Sequence, residues 1–474
     1  MMNAQELTIE RALEIAEENN PSLVQSKLNI ERYQYNVAAQ KASLKSKFAL
    51  NLNPVEYSKS RRFDNRLSQW YTNETLNTEG TFSVVQPILL TDGTVSLINT
   101  FGWQDNQSIV EGVNNRNKAF NNNLYLQLRQ PIFTHNVQKM ALKRIEMQYE
   151  NAGISYALQR LRIESDITTQ FYSVYISQED VKISKDELEN AKQSYDIIKN
   201  KVEADLAAKE ELYQAELNLA SAQSKVETNI VALENNKDNL KQTLGMSLDE
   251  NISVLSDIKV SPVVIDMEKA IQNGLVSRLE LRQRELDVEE SELQMIETKA
   301  NNEFKGDITL SVGVIGDNEK FNNMFDNPTQ NPRVSVSFAV PIFDWGEKKA
   351  RVNAQKAAQT IAKLEHANQK IDIELDVRRV WREIDNYRTQ IDIAEKNVRN
   401  AQLTYDINLI RYREGDLTGM QISQFQTQLS NEKKNYAQTL INYKKALLSL
   451  KIASLYDFEK NTPIIPVREL DNIK

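Results

Sequence analysis

The chain repeats its own pattern once, and an insertion interrupts the first copy. The sequence Pro-Ile-Phe at Pro131–Phe133 returns at Pro341–Phe343, an offset of 210 residues (343 − 133). Nearer the N-terminus, Ala12-Leu13 corresponds to Ala270-Ile271, and the offset there is 258 residues (270 − 12). The first copy therefore contains 48 additional residues (258 − 210), placed between about Leu50 and Phe133. A tandem duplication of this size predicts a pseudo-symmetric fold in which each unit buries a face against its neighbour.

Charge and composition exclude several function classes. The chain has 58 Lys and Arg against 66 Asp and Glu, for a net charge of −8, and the two signs are interspersed. A nucleic-acid partner is therefore not expected, because the basic surface it requires is missing. The chain has no cysteine, which removes disulfides, thiol nucleophiles and cysteine-ligated metals. No nucleophile, general base or phosphate-binding loop forms a recognisable pattern, so we predict no enzyme activity, no cofactor and no metal site.

Two long stretches of the chain predict continuous helix. No proline occurs between Pro131 and Pro262 or between Pro341 and Pro463, and glycine is scarce in both stretches. Each stretch carries core-type residues spaced alternately by three and four positions, which is the heptad pattern of left-handed helix packing. The heptad positions include Ile167, Val174, Val181 and Leu188 in the first copy and Val377, Ile384, Ile391 and Val398 in the second.

Short turns divide each helical stretch into a hairpin. The heptad phase changes at Ala204–Leu206 and at Glu414–Asp416, so we predict helical hairpins at 135–245 and 345–455. In each hairpin the returning helix is shorter than its partner. The helices expected within 8–46 and 266–304 are therefore predicted to stack end to end on the shorter helices.

Between the helical parts, apolar and polar residues alternate with the period of β-strands. Ile308, Leu310 and Val312 alternate with small or polar residues, so one face of this strand is apolar. Such strands are typical of a membrane β-barrel with a lipid-facing outer surface and a wet lumen. The predicted strands span 47–57, 79–90, 94–103, 123–133, 306–316 and 332–343. The predicted lipid-facing residues are Leu50, Leu52, Leu124, Leu126, Ile308, Leu310, Val312, Val334, Val336 and Phe338.

The insertion shows the same alternation and predicts one additional pair of strands. Phe82 and Val84 alternate on one strand, Leu97 and Trp103 alternate on another, and Thr91–Gly93 joins the two by a short turn. An added pair preserves the up-and-down order, so six strands per chain are expected, with Asn-rich loops at the end away from the helices. Aromatic residues at strand ends are candidates for an interfacial belt. These residues are Trp70, Tyr71, Trp103 and Tyr125.

These patterns divide the chain into two repeats. We predict a first repeat at 1–245, a connector at 246–264, a second repeat at 265–455 and a C-terminal tail at 456–474. The helical pattern begins at Leu7 without a charged and apolar leader before it. Either the protein is cytosolic or a signal peptide has been removed.

Taken in order, these features resemble the TolC-like outer membrane efflux protein family over essentially the whole chain. The resemblance rests on the duplicated order of helix, strands, Pro-Ile-Phe and helical hairpin, on Leu7–Leu13 followed by Asn20–Leu23, and on the turn Arg411–Leu417. It implies a membrane α+β fold in which a trimeric transmembrane β-barrel is continued by a long coiled-coil-like α-helical barrel. It also implies the outer membrane of a Gram-negative bacterium, extension into the periplasm and a removed signal peptide. The six expected strands depart from the four that are usual in the family.

The resemblance further implies a function. Family members are exit ducts of tripartite efflux or type I secretion systems, and they conduct substrates passively across the outer membrane and the periplasm. The implied partners are two further copies of the chain, a periplasmic adaptor (membrane fusion) protein, an inner-membrane pump of the resistance-nodulation-division or ABC type, and outer membrane lipid. The substrate and the pump stay open.

The hairpin turns correspond to the periplasmic gate of the family. Tyr412 and Gly415 match the tip tyrosine and glycine of the family, and Glu211 stands where the first hairpin usually has a coupling aspartate. The residues that the resemblance assigns to gating and adaptor docking are Asp205, Glu211, Tyr412, Arg413, Glu414, Gly415, Asp416, Gln421 and Gln424.

The gate also departs from the family pattern. Leu417 stands where a gating arginine can occur, and Gln421 and Gln424 stand where acidic ring residues can occur. A ring of glutamines constricts by size and hydrogen bonding, so we expect a weaker dependence on pH and salt than for a ring of carboxylates.

A soluble coiled-coil scaffold or tethering protein is the main alternative. Such a protein explains the heptads without a membrane, but it has no use for alternating strands that share an apolar face. Whether extraction depends on detergent distinguishes the two functions.

Overall fold

The chain forms two compact units in the computed structural model, which describes residues 5–65, 68–110, 113–255, 263–414 and 416–464. Of these, 5–30, 151–285 and 365–464 belong to one unit, here named the helical unit. The other unit, here named the sheet unit, comprises Glu31–Glu150 and Leu286–Leu364.

The two copies of the sequence pattern give helices of nearly equal length. The helices are α1 (Ile9–Asn19), α2 (Pro21–Ser43), α3 (Val137–Glu203), α4 (Lys209–Leu244), α5 (Met267–Ser277), α6 (Leu279–Ala300), α7 (Glu347–Glu414) and α8 (Gly419–Ser454). The long helices α3 and α7 have 67 and 68 residues, and the returning helices α4 and α8 have 36 each. Within the described residues, none of the helices is both long enough and apolar enough to cross a membrane.

The sheet unit contains one antiparallel sheet with six main strands in the order β2-β3-β4-β5-β7-β9. The strands of the chain are β1 (Gln5–Leu7), β2 (Lys47–Asp64), β3 (Gln69–Ile88), β4 (Gly93–Val110), β5 (Val113–Ile132), β6 (Ile252–Val254), β7 (Lys305–Asn318), β8 (Thr329–Gln330), β9 (Arg333–Ala339), β10 (Tyr456–Asp457) and β11 (Thr462–Pro463). The short β8 pairs with β7 beyond the end of β9. The inserted residues form parts of β3 and β4, which lie between β2 and β5 in this sheet.

Four strands differ from the sequence prediction, because they are longer. The strands predicted at 47–57 and 79–90 extend to Asp64 and begin at Gln69, and those predicted at 94–103 and 123–133 extend to Val110 and begin at Val113. The Asn-rich stretches predicted as loops are thus paired strand. Backbone ladder hydrogen bonds do not require apolar side chains, so a polar strand escapes a search for apolar alternation.

The last strand is shorter than its predicted span of 332–343. β9 ends at Ala339, two residues before Pro341. Proline has no N–H group to donate to a ladder, which favours the end of a strand here.

β2 contains a β-bulge, one extra residue relative to β3. After the bulge, the side chains of β2 that lie on the apolar face of the sheet change from even-numbered to odd-numbered positions. Asn53 pairs with Glu79, whereas Glu56 pairs with Asn77, so β2 has one more residue than β3 between these pairs. The hydroxyl of Thr78 donates to the carbonyl oxygen of Pro54 at 2.9 Å within this bulge. Because side chains alternate between the faces, even-numbered residues before the bulge and odd-numbered residues after it lie on the same face.

The heptad positions of the long helices pack into the core of the helical unit. Val377, Val380 and Ile384 of α7 form one cluster with Tyr443 and Leu450 of α8. In α3, small polar residues at heptad positions are satisfied by hydrogen bonds. The hydroxyl of Ser177 accepts from Asn236 at 2.7 Å, and the hydroxyl of Ser184 donates to the Val181 carbonyl at 3.0 Å.

The C-terminal end of α4 meets the junction of α1 and α2. The Asn20 side chain donates to the Thr243 carbonyl at 2.6 Å. Gly245 ends α4 with φ 73, and a Cβ added there would collide with the backbone of Asn19. Only glycine suits a left-handed conformation with so little space, so this position fixes where α4 ends.

Two short strands join the N-terminus to the connector. β1 pairs in parallel with β6, which places the buried Leu7 and Val254 opposite each other. Sequence reasoning did not predict this pairing, since three-residue strands carry no measurable period.

Candidate functional site

The turn of the first helical hairpin is short and exposed. The Leu206 amide donates to the Lys201 carbonyl at 2.8 Å, and Asp205 adopts φ 57. Aspartate tolerates this left-handed conformation better than most residues. Glu210 and Glu211 lie in the first turn of α4, where their negative charge is favourable because the helix dipole is positive at its N-terminus. Ala208, before this turn, offers no side-chain cap.

The turn of the second hairpin is closed by a capping box. The Thr418 amide donates to Gln421 Oε1 at 2.9 Å, and the Gln421 amide donates to the Thr418 hydroxyl at 3.4 Å. The side-chain oxygen of Gln421 therefore serves the start of α8. Its role in a constriction stays a prediction.

A direct hydrogen bond joins the two hairpins near their turns. Tyr412 is 8% exposed, and its hydroxyl lies 3.1 Å from the hydroxyl of Ser194 on α3. A Cβ added at Gly419 would lie 3.1 Å from Ile198 Cδ1, so the start of α8 approaches α3 closely. Sequence analysis singled out Tyr412 but missed Ser194, because a lone serine on a long helix gives no signal.

A cavity of 580 Å³ lies among the four helix ends beside this hydrogen bond. The cavity is lined by apolar side chains such as Ile198 and Met420 and by polar ones such as Glu210, Glu211 and Gln214.

The predicted gating residues lie at these turns. Asp205, Glu211, Glu414, Asp416, Gln421 and Gln424 are exposed, whereas Tyr412 is buried. Gly415 and the side chain of Arg413 lie outside the described residues. The structure thus places the described residues at the ends of the two hairpins, and their roles stay predictions.

The predicted lipid-facing residues share one face of the sheet. Leu126 lies opposite both Leu97 and Val312, and Leu310 lies opposite Val334. Direct cross-strand partners point to the same side, so these residues form continuous apolar rows. Of the predicted set, Leu50, Leu52, Leu124, Leu126, Leu310, Val312, Val334, Val336 and Phe338 are exposed, and Ile308 is half-buried.

The other face of the sheet is polar. Arg129 pairs with Asp307 there at 2.8 Å, and the hydroxyls of Thr81 and Thr100 lie 3.2 Å apart. An apolar face and a polar face on one sheet suit a wall between lipid and water.

Aromatic clusters flank the apolar face at both ends. Phe338, opposite Gly306, stacks on Phe304 with ring centroids 5.4 Å apart. The rings of Phe120, opposite Asn318, and Phe321 have centroids 5.8 Å apart. This cluster is here named the upper aromatic cluster. Twelve residues of β7 separate Gly306 from Asn318, or about 40 Å along the strand and about 30 Å across a membrane at the usual tilt.

The residues predicted as an aromatic belt share neither one row nor one face of the sheet. Trp103 lies opposite Phe120 on the apolar face. Tyr125 and Tyr71 lie on the polar face, and Trp70 lies four rows above Trp103, since it is opposite Phe63 near the end of β2. Strand ends were misplaced by the sequence prediction, and the belt residues were misplaced with them.

A second apolar stripe runs along α7, away from its buried positions. Residues at heptad-like spacing on this helix are more than half exposed in the single chain. At the 3.5 residues per turn of the heptad pattern, they fall on the side opposite Val377, Val380 and Ile384. The stripe within the helical unit consists of Ile371, Leu375, Ile393, Leu403, Ile407 and Ile410.

Comparisons with known proteins agree with this geometry. Residues 270–454 match the model of the outer membrane efflux protein family. No curated protein matches the chain. The resemblance to TolC-like outer membrane efflux proteins drawn from the sequence is confirmed.

Solved outer membrane proteins share the fold of this chain. The CmeC channel of Campylobacter jejuni has a TM-score of 0.73 and 16% identity, covering 98% of this chain and 88% of that chain. VceC of Vibrio cholerae has a TM-score of 0.69 and 13% identity, covering 94% and 95%. The open state of the MtrE channel of Neisseria gonorrhoeae has a TM-score of 0.67 and 14% identity, covering 94% and 88%. The mixed helix-and-sheet fold is therefore that of these outer membrane proteins.

Proposed function

We propose that this protein, whose residues 270–454 match the outer membrane efflux protein family and whose fold is that of outer membrane channels, is the exit duct of a tripartite export system. It conducts small molecules or secreted polypeptide passively across the outer membrane and the periplasm of a Gram-negative bacterium. One observation carries the proposal. A six-stranded sheet has a continuous, exposed apolar face flanked by aromatic clusters about 30 Å apart, which matches the hydrocarbon core of a bilayer.

The proposed duct is a homotrimer. A buried apolar stripe is favourable and an exposed one is not, so the second stripe of α7 requires a partner, and further copies of the chain supply one. Among the described residues, the sheet has two free edges, at β2 and β9. Pairing β9 of one copy with β2 of the next closes a barrel without edges. Three copies of six main strands give an eighteen-stranded β-barrel, and the helical hairpins of three copies form the α-helical barrel.

The hairpin turns are the proposed docking and gating end. Their exposed carboxylates, including Asp205, Glu211 and Asp416, are accessible to a periplasmic adaptor protein. The hydrogen bond between Ser194 and Tyr412 holds the two hairpins together at this end, which keeps the duct closed until the adaptor and the inner-membrane pump engage. The pump is of the resistance-nodulation-division or ABC type.

Planar-bilayer conductance of the purified protein tests the proposal. We expect discrete conductance steps, with a larger open fraction when the adaptor is added. A water-soluble monomer that gives no steps in either condition would support the scaffold or tether instead.

A further inference from the structure

The four long strands of the sheet continue beyond the apolar face as a polar extension. This extension, here named the outer segment, consists of 56–64 in β2, 69–77 in β3, 104–110 in β4 and 113–119 in β5. The pairing of β7 with β5 ends at Phe120 and Asn318, so the outer segment extends past β7. Nine residues of β2 correspond to about 30 Å of strand. The outer segment lies at the end of the strands opposite the end that connects to the helices.

The rows of the outer segment follow directly on the upper aromatic cluster. Thr78, Trp103 and Phe120 form one row, and the next row on the same face contains Tyr57, Leu76, Asp105 and Lys118. Successive rows lie about 7 Å apart. The first cation of this face is therefore one row beyond the aromatic residues.

Basic side chains are concentrated on this face. Lys59 and Arg116 lie in the second row, and Arg61 lies in the third, so with Lys118 the face carries four cations. It carries two carboxylates, those of Glu74 and Asp105. The excess is two positive charges per chain, in a protein whose total charge is −8.

The carboxylates position the cations and leave them accessible. Asp105, at 6% side-chain exposure, accepts hydrogen bonds from Arg116 and lies 3.7 Å from Lys118, and Glu74 lies 2.5 Å from Lys59. The three cationic side chains stay more than half exposed. Each therefore has donors left for another anion.

The bulge in β2 creates this arrangement. Without the extra residue between Asn53 and Glu56, the faces of the following residues would exchange, and Lys59 and Arg61 would join the polar face. The opposite face of the outer segment holds Arg62 beside serines and asparagines. A cation directly next to Arg61 in sequence thus lies on the other side of the sheet.

We propose that this face, made by Lys59, Arg61, Arg116 and Lys118, binds the phosphates of glycolipid headgroups in the outer leaflet. The inference rests on the proposed function for its orientation, because the apolar face must lie in the outer membrane with the outer segment outside the cell. Headgroup phosphates of that leaflet lie just above the hydrocarbon core, at the height of the first cationic rows. Lys and Arg near an anionic lipid surface attract it strongly, and guanidinium groups suit phosphate in particular.

Binding of bisphosphorylated lipid A to the purified full-length protein in detergent tests this inference. The test variant is Lys59→Gln with Arg61→Gln, which leaves the Asp105 contacts intact. We expect weaker binding by about fivefold for each cation removed. The matched control, Arg62→Gln, should bind like the unmodified protein. Lipid A without phosphates should bind weakly to all three proteins, and inorganic phosphate at equal concentration should not displace the phosphorylated lipid.

Several outcomes would overturn the inference. These are equal affinity of the double variant and the unmodified protein, equal loss in Arg62→Gln, or displacement by inorganic phosphate, which would indicate a simple anion site. A second variant, Lys118→Gln, repeats the test on β5. Bilayer conductance of the same preparations separates this inference from the proposed function: conducting protein with unchanged lipid A binding refutes only the headgroup site, whereas absence of conductance refutes the duct.

Discussion

At the residue scale, a hydrogen bond between Tyr412 and Ser194 joins the two hairpins near their turns. The hydroxyls of Tyr412 and Ser194 lie 3.1 Å apart beside a 580 Å³ cavity. The net contribution of such a bond is about 1 kcal/mol, which is enough to shift an equilibrium between closed and open tips several-fold.

We predict that Tyr412→Phe increases the open fraction of the channel in planar bilayers by about fivefold, from the loss of about 1 kcal/mol. Ser194→Ala should have a similar effect, and the double variant should add little, because both changes remove the same bond. Tyr213→Phe, at an exposed tyrosine of α4, is the control and should leave the open fraction unchanged. Fully additive single effects would contradict a shared bond.

A second residue-scale feature is the ion pair of Glu280 and Arg278. Burial would raise the pKa of Glu280, but hydrogen bonds from Arg278 at 2.6 and 3.1 Å and its positive charge outweigh burial, and the pKa is lowered below its ordinary value of 4.5. A lowered pKa in the folded state means that the ionised carboxylate stabilises the fold. This contribution is complete above pH 4.5 and is lost as the pH falls through the lowered pKa.

We predict that Glu280→Gln lowers the melting temperature of the purified protein at pH 7 and has little effect once the pH is well below 4.5. The stability lost at pH 7 should be about 1.5–3 kcal/mol, as for hydrogen bonds to a charged group. Glu216→Gln, at an exposed position of α4, provides the comparison. A difference between Glu280→Gln and the unmodified protein that persists at low pH would argue against the ion pair as its cause.

At the element scale, one face of the sheet is apolar and the other is polar. Adjacent residues of one strand lie on different faces. Val312 lies opposite Leu126 on the apolar face, whereas Ser311 lies opposite Gln127 on the polar face. The register therefore assigns adjacent residues to two environments, lipid and lumen, under the proposed function.

We predict that Val312→Lys destabilises the inserted protein by about 2–4 kcal/mol, the cost of a lysine near the middle of a membrane. Ser311→Lys should cost far less, because the lumen is wet. The measurement is the denaturant midpoint of the protein folded into lipid vesicles. Equal costs at the two positions would mean that neither face contacts lipid.

The same element shows what alternation alone predicts about a strand. The apolar rows were assigned correctly to one face, because alternation is a local property of the sequence. The strand ends were not, since polar residues such as those of 56–64 pair with their neighbours as well as apolar ones do. The bulge at Pro54 and Val55 was also missed, although it decides on which side Lys59 and Arg61 lie.

At the scale of the whole molecule, the inserted strands determine the size of the proposed barrel. β3 and β4 occupy the middle of the sheet, and β2 and β5 are antiparallel to each other. Removal of the inserted pair thus leaves β2 and β5 able to pair directly. The diameter of a barrel grows roughly linearly with its number of strands.

We predict that electron microscopy of the purified protein shows the proposed trimer with an eighteen-stranded barrel, as six main strands per chain require. Deletion of residues 66–112 should give a trimer with a twelve-stranded barrel, narrower by about one third. A barrel of unchanged width in the shortened protein would place the inserted strands outside the wall.

The sequence by itself determined the duplicated pattern, the long helical hairpins, the alternating strands and the resemblance to outer membrane efflux proteins, which is confirmed over 270–454 and by the fold. These features depend on the spacing of residues along the chain. Only the tertiary structure decided the partner of Tyr412, the pairing of β1 with β6, and the bulge that brings Lys59 and Arg61 onto the apolar side. Each of these depends on which distant residue lies opposite, and that choice is set by packing and backbone pairing across the fold, which local periodicity does not encode.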